Sequence, residues 1–242
     1  MRAPSWELPW TGSRRIKLTA LLAVRNGMRY LPGFLRNVAP QVDEIIALDD
    51  GSSDGSAALL AEHKAVVELL QNPIDRPAWD EVGNHRALIQ AALRHGADWV
   101  VCADADERLE EHFRARAERV IARARLFGHS AYAVRLRELW DDPGQYRVDG
   151  IWGRKAVARL FRLREDHEFD TRPLHGLKAP LQASRRGRFP KADLNIYHLA
   201  MLKAEDREMR RRRYEEADPE CRWQRIGYAY LTDESRLTLR SL

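Results

Sequence analysis

The sequence predicts an α/β fold in which a mostly parallel central sheet is flanked by helices and followed by a less regular C-terminal region. Three observations carry this. Apolar runs of strand length, "IKLTALLAV", "DEIIALDD", "VVELL" and "WVVCA", recur in the first half of the chain. Segments with helical periodicity lie between them, the βαβ alternation that sets parallel strands side by side with helices on both faces. Loops rich in Gly, Ser and Asp follow three of the runs, and in such sheets ligands bind beyond the carboxyl ends of the strands.

Taken in order, residues 1–16 hold Pro and Trp without periodicity and read as an N-terminal arm. Arg14, Arg15 and Lys17 give the first strand a basic lead that resembles a signal-peptide start. Its apolar run stops at Arg25 after about seven residues, too few to span a membrane. A loop at 25–27 leads to a short helix over 30–38. The second strand ends in "DDGSSDGS", where Ser53 or Asp54 is placed to cap the helix "AALLAEHKA". After the third strand, residues 80–95 form a helix with Val82, Leu88, Ile89, Ala92 and Leu93 near one face and Gly96 as its C-cap. The fourth strand runs straight into Asp104, Asp106 and Glu107. A helix over 110–127 then turns Phe113, Ala117, Val120, Ile121 and Ala124 inward, with acidic residues at its start, arginines at its end and Gly128 as its stop. In the second half "AYAVRLREL" and "AVARLFRLR" alternate as half-buried strands around the turn-rich loop "WDDPGQYRVDGIWGRK". "LNIYHLAM" is one more strand, and the charged helix "KAEDREMRRRRYEEAD" follows it. The expected organisation is the arm at 1–16, a ligand-binding α/β half at 17–128 and a second half at 129–242, all in one catalytic domain.

With 242 residues, 44% of them hydrophobic and 32% charged, the chain suits a globular domain and not a disordered one. Its net charge of +5 suits an anionic ligand such as a nucleotide or a phospholipid surface. Nucleic acid would fit the charge too, but no nucleic-acid-binding motif accompanies it. Cys102 and Cys221 are the only cysteines, which excludes a disulfide framework and a Cys-rich zinc site and points to a reducing, cytoplasmic setting.

Asp104 and Asp106 occupy alternate positions of an extended segment, so both address one ligand. Carboxylates packed this closely repel one another. A hard divalent cation, Mn2+ or Mg2+, relieves that and takes its other ligands from water and substrate phosphates. The competing reading is a helix N-cap with an acidic first turn. In "LDDGSSDGS", Gly51 and Gly55 permit tight turns, and the hydroxyls and amides suit a ribose or phosphate. Neither the dinucleotide fingerprint nor the lysine-containing phosphate loop is present.

In this order and spacing, "LTALLAVRNG", "DEIIALDDGSSDGS" and "WVVCADADE" resemble the nucleotide-sugar half of family 2 glycosyltransferases of the GT-A fold, most strongly over 17–109. The resemblance implies a Rossmann-like sheet of GT-A type. It also implies inverting transfer of a sugar from a nucleoside-diphosphate sugar to a hydroxyl of a carbohydrate, glycolipid or small-molecule acceptor, with Mn2+ or Mg2+ as cofactor. Nucleotide-sugar contacts are implied at Ala23, Asn26, Asp50, Ser52, Arg86 and Asp104, with Asp50 at the nucleoside. Asp106 is the implied metal ligand, and His198 matches the place where many GT-A enzymes carry a metal- or phosphate-contacting histidine. Arg86 is followed by alanine where the family often has asparagine, and Asn26 by glycine where it usually has glutamate. "RLFRLREDHEFDTRPLHG" resembles the segment leading into the acceptor loop, but Gly176 stands where related enzymes often carry a glutamate. Asp170 and His175 are therefore the candidate bases, with Glu168 and Asp142 behind them.

Trp140 and Trp152 read either as core or as a platform for a sugar ring. The run at 210–213 reads as a solvated helix face, the alternative being contact with anionic lipid headgroups or a phosphorylated acceptor and thus peripheral association with a membrane's inner face. Two rival functions remain. A phosphatase of the haloacid dehalogenase type also places Asp-x-Asp after a strand, but after its first one. A non-catalytic nucleotide-sugar-binding homologue is the other, given Gly176.

Overall fold

Four parallel strands, β1 (Leu18–Val24), β2 (Glu44–Asp49), β3 (Val66–Gln71) and β4 (Trp99–Cys102), stand in the order β3-β2-β1-β4. The computed structural model describes residues 15–75, 79–173, 176–184 and 187–242, so nearly all of the expected arm lies outside the described residues. Strands β1, β2 and β4 are buried along nearly their whole length because both faces of the sheet are covered. Helices α1 (Leu31–Val38), α2 (Ser56–Glu62) and α4 (Phe113–Phe127) supply Leu31, Phe34, Leu60, Phe113 and Ile121 to one core. On the other face α3 (Glu81–Arg94) packs through Leu88, Ile89, Ala91 and Ala92. Gly96 (φ 65°) and Gly128 (φ 63°) end α3 and α4 in the left-handed conformation that glycine adopts without steric cost.

One expected boundary moves, with a consequence for the site. Helix α4 starts at Phe113, because residues Glu107–Leu109 form a short strand, β5, paired antiparallel with β9 (Lys191–His198). The acidic residues therefore precede the helix instead of opening it. Glu110 is buried between Arg116 at 2.8 Å and Asn195 at 2.7 Å. The reading of Asp104, Asp106 and Glu107 as a helix cap falls with that boundary.

Beyond β4 the sheet continues antiparallel through β8 (Ala156–Arg162) and β6 (Ala131–Trp140). Strand β6 also carries β9 in parallel, while β7 (Asp142–Arg147) and β10 (Leu239–Ser241) extend the far side. The expected turn-rich loop thus contains a strand. Trp140 and Trp152 are 0% and 3% exposed and meet edge to face at 5.7 Å. The guanidinium groups of Arg147 and Arg207 lie over the Trp140 ring at 4.4 and 4.2 Å. These tryptophans are core, and a sugar has no access to them.

Helix α5 (Ala204–Ala217) offers almost no apolar side chain and is docked by charge. Asp206 takes both terminal nitrogens of Arg29 at 2.7 Å, and the buried Arg207 reaches Asp141, Glu234 and the Met201 carbonyl, each at 2.9 Å. The expected solvated face holds for Arg212 and Arg213 and fails for Arg210, which is half-buried on the docked side. Among the described residues no helix is long and apolar enough to cross a membrane.

Candidate active site

The loops after β1 and β2 are stitched together by their own polar groups. The Asn26 amide donates to Ser52 Oγ at 2.8 Å, the Ser53 amide to Asn26 Oδ1 at 2.9 Å, and the Gly27 amide to Ser56 Oγ at 2.9 Å. Asn26 has φ 53°, a left-handed conformation that asparagine tolerates better than most residues. The side chains of Asn26 and Ser52 thus hold the two loops together, and Ala23 lies half-buried opposite Leu48 at the strand ends. The N-cap of α2 is Gly55, in the left-handed conformation, and not Ser53 or Asp54; Asp54, one residue ahead of it, accepts the Ser56 amide at 3.0 Å. Gly51, at φ 75°, has no room for a side chain, since a Cβ there would lie 2.4 Å from the Pro73 carbonyl oxygen. Asp50 is fully buried and accepts from Asn72 Nδ2 at 2.5 Å, and the same nitrogen reaches Asn84 Oδ1 on α3 at 2.9 Å.

The acidic wall is built by strand register. β5 pairs Glu107 with His198, and β6 pairs Glu138 with His198, so three strands deliver these side chains to one spot beyond β4. His198 Nδ1 meets Glu138 Oε2 at 2.5 Å, and its Nε2 faces Asp106 Oδ2 at 3.3 Å. Lys155 pairs with the other Glu138 oxygen. Arg159, on β8 beside β4, bonds Asp104 Oδ2 at 2.8 Å and Glu107 Oε1 at 3.1 Å, while Glu107 Oε2 accepts the Asp104 amide at 2.9 Å. Burial works to raise Asp106, but the His198 imidazole outweighs it and holds the carboxyl below its usual range. Burial opposes a charged imidazole at His198, yet Glu138 and then Asp106 overcome that and push it up to about 10. Glu107, 1% exposed, is pushed up to about 7 by burial in spite of Arg159. Among the described residues no three His, Cys, Asp or Glu side chains form a ready-made metal cage.

The remaining sequence candidates stand apart from this cluster. Arg86 is exposed on α3 and shares a cavity of about 310 Å³ with Asp170, His85, His167, Glu168 and Phe169. Asp170 takes Arg172 Nε at 2.7 Å and the Leu177 amide at 3.0 Å, and it is held at about 2, where burial is outweighed by these bonds. A carboxylate so committed is a poor proton acceptor near neutral pH. His175, the other candidate base, lies outside the described residues. Glu168 is exposed, and Asp142 closes a turn by accepting the Gly144 amide at 2.6 Å.

His85 is a side chain the sequence did not flag. It is 7% exposed, meets the Lys178 carbonyl through Nε2 at 2.9 Å and lies edge-on to Phe169. Burial, with Lys178 adding, pushes it down to about 3 from 6.5. The unfolded chain therefore takes up a proton that the folded imidazole refuses. Stability falls as pH drops below 6.5 toward 3, by up to about 1.4 kcal/mol per pH unit from this group. His85→Gln flattens that slope, read as urea midpoints between pH 7 and 5, and parallel slopes for the two proteins would contradict it.

Arg159, Glu138 and Lys155 were also missed, although two of them carry a signal. In β6, Val134, Leu136, Glu138 and Trp140 share one alternation phase, so Glu138 is a carboxylate on an otherwise apolar face. Arg159 lies inside the apolar run "AVARLF", where a charge survives only if paired.

Comparison with known proteins agrees with this architecture. The family model for glycosyl transferase family 2 matches residues 19–181. The uncharacterized protein Rv3786c of Mycobacterium tuberculosis is 27% identical over 222 residues, covering 89% of this chain and 54% of that protein. A TPR repeat-containing protein of Synechococcus elongatus is 32% identical over 166 residues, covering 69% of this chain and 36% of that one. The chain thus spans about half or less of these relatives' length. Among solved structures, the mannosyltransferase PcManGT of Pyrobaculum calidifontis, in complex with GDP-Man and Mn2+, superposes with a TM-score of 0.55 at 16% identity, covering 93% of this chain and 73% of that one. S. aureus TarS gives 0.54 at 12% identity, covering 81% and 39%. With a family match spanning β1 to the segment after β8 and so covering the whole parallel half of the sheet, the chain belongs to glycosyltransferase family 2.

Proposed function

We propose that this glycosyltransferase moves a sugar from a nucleoside-diphosphate sugar to an acceptor hydroxyl with inversion, using Mn2+ or Mg2+ held at Asp106 and His198. The observation that carries this reading is the pairing of Asp106 with His198 Nε2 just beyond the carboxyl end of β4, with Asp50 just beyond the same end of β2 on the other side of β1. The donor set fits such a cation. Glu138 fixes His198 through Nδ1, the usual way a carboxylate orients a metal-bound imidazole, and Nε2, which faces Asp106, would ligate once a cation displaces its proton. Two protein ligands leave the other positions to diphosphate and water, which these ions accept more readily than an all-protein cage. When bound, the ion supplies positive charge against the departing nucleoside diphosphate.

The chain's own residues do the rest. Asp50, behind the loops stitched by Asn26 and Ser52, receives the nucleoside, and Arg86 adds charge from α3. The acceptor oxygen bonds to the anomeric carbon as the bond from that carbon to the diphosphate breaks. Its electron pair leaves on the diphosphate oxygen. The acceptor proton passes to a base, for which Asp170 and His175 are the sequence candidates, with Glu168 and Asp142 behind them. The donor complex named for the Pyrobaculum enzyme supports this substrate class.

Calorimetry with UDP-, GDP- and dTDP-sugars, with and without Mn2+, tests the reading, together with donor hydrolysis across the same set. One nucleotide class is expected to bind in a Mn2+-dependent way and to be slowly hydrolysed. If none binds under either condition, the reading is wrong. Mn2+-dependent binding without hydrolysis or transfer to any acceptor favours the non-catalytic homologue.

A further inference from the structure

The arginines of α4 divide along its length. In its first half Arg114 is taken by Asp43 and Glu118, and Arg116 by Glu110 and Asp193. In its second half Arg119 and Arg123 are exposed and make no side-chain hydrogen bond or ion pair among the described residues. The chain has no acidic residue between Glu118 and Glu138 to engage them locally. Arg162, the exposed last residue of β8, is a third such cation. Its amide donates to the Ser130 carbonyl at 2.7 Å, just past the end of α4. It stands two positions after Leu160, which puts it on the sheet face that Ile121 and Ala124 of α4 cover. Cations near a helix C-terminus need no special cause, since the macrodipole favours them. The apolar residues among them do. Leu126 and Phe127 are 82% and 61% exposed, although Phe113 and Ile121 of the same helix are fully buried. Leu126 stands one and two turns beyond Arg123 and Arg119, on their face of the helix. Phe127 is held in place: its ring stacks on His129 at 5.9 Å, and His129 lies edge-on to Tyr132 at 5.6 Å. This corner lies at the end of the sheet where β4 and β6 begin and β8 ends, away from Asp104 and Asp106 beyond the other end of β4.

Exposed leucine and phenylalanine set among unengaged arginines have the chemistry of a lipid interface. The apolar side chains enter the boundary between headgroups and acyl chains, and the guanidinium forks bond headgroup phosphates. A nucleic acid would use the arginines and leave the aliphatic Leu126 without a partner. An apolar protein surface would use Leu126 and Phe127 and leave the arginines without counter-charge. We propose that the C-terminal corner of α4 docks on a membrane carrying anionic lipid, with Leu126 and Phe127 inserted and Arg119, Arg123 and Arg162 on the phosphates. The acidic wall, at the opposite end of the strands, is then turned away from the bilayer and open to a water-soluble donor. This surface is separate from the donor site and holds whichever nucleotide sugar that site takes. It is also not the run on α5, where Arg212 and Arg213 are solvated but Leu and Phe are absent.

The test is flotation of the whole chain with vesicles of phosphatidylcholine alone and of equal parts phosphatidylcholine and phosphatidylglycerol. Three variants accompany the parent: Leu126→Ser with Phe127→Ser, Arg119→Gln with Arg123→Gln and Arg162→Gln, and Arg212→Gln with Arg213→Gln. The parent is expected to float with the anionic vesicles and not with the neutral ones. The first two variants should each lower that partition by about tenfold or more, and the α5 variant should stay within about twofold of the parent. All of the changed side chains are exposed, and thermal midpoints confirm that each variant is folded; the arginine variant carries the test if the serine variant is not. A parent that stays with neither vesicle overturns the proposal. Binding that survives loss of Leu126 and Phe127 but not of the three arginines means attraction by charge alone, as for a nucleic acid, and overturns it too. An equal loss in the α5 variant moves the contact to that helix. Sedimentation velocity of the same proteins without lipid separates the remaining occupant: a dimer that the serine variant abolishes assigns the corner to a second copy of the chain and overturns the lipid reading.

Discussion

Replacing Asp106 by alanine is expected to lower sugar transfer by about 100-fold or more and to abolish Mn2+ binding, with the fold retained. Asp106 is the carboxylate in the cluster without a basic side chain of its own. Arg159 takes Asp104 and Glu107, Lys155 takes Glu138, and Asp106 meets only the shared imidazole of His198. Removing it therefore strands no buried cation, so stability changes little, whereas the pair of ligand atoms is halved. Electron paramagnetic resonance of Mn2+ reads the binding directly and independently of turnover. Glu138→Gln separates ligand from support: it leaves Asp106 and His198 in place but weakens the hold on Nδ1, and a loss of about 10- to 100-fold in Mn2+ affinity is the scale for such outer partners. Undiminished Mn2+ binding by the Asp106→Ala protein would remove the metal assignment.

The N-terminal half was legible because its information is local. β1, β2 and β4 are mostly apolar runs, the glycines at 96 and 128 stop their helices, and the acidic residues sit at the strand ends where a parallel sheet collects ligands. What was not legible depends on pairing across the chain. β5 is three residues long, too short for any period to show, and it exists because β9 arrives beside it 82 residues after its last residue, Leu109, counting to Lys191. β7 holds Pro143 and Gly144, which read as a turn, and it is a strand because β6 and β10 flank it. The same holds for the site. Asp104 and Asp106 stand out in sequence, but the cation that fixes Asp104 comes from β8 and the group that faces Asp106 from β9. Arg210 is lost in a helix whose composition says solvent, because ion pairs to Arg29 and Asp141, remote in sequence, decide which side faces in.

Arg159→Met is expected to cost about 3–5 kcal/mol, the scale for breaking a buried ion pair by removing one partner. For a chain of this size that is a fall in Tm of about 6–20 °C. Arg159 is 8% exposed, and its Nη2 serves both Asp104 and Glu107. The two carboxylates then fare differently. Asp104 has a side chain 48% exposed and can turn to water, while that of Glu107, at 1%, cannot. The deficit should therefore depend on pH. Glu107 is pushed up to about 7 in the folded protein against 4.5 in its ordinary state, so folding favours its protonated form, and the cost of a buried anion appears only as pH rises through that range. Without Arg159 the folded value rises further, so the variant should lie closer to the parent at pH 5 than at pH 8. Adding Glu107→Gln to Arg159→Met removes the stranded anion and should restore part of the lost Tm at pH 8 and little at pH 5. Thermal melts of the four proteins at both pH values read this as a double-mutant cycle. A deficit independent of pH and untouched by Glu107→Gln would mean that Arg159 acts through packing, not as the counter-ion that lets the acidic wall be built inside the sheet.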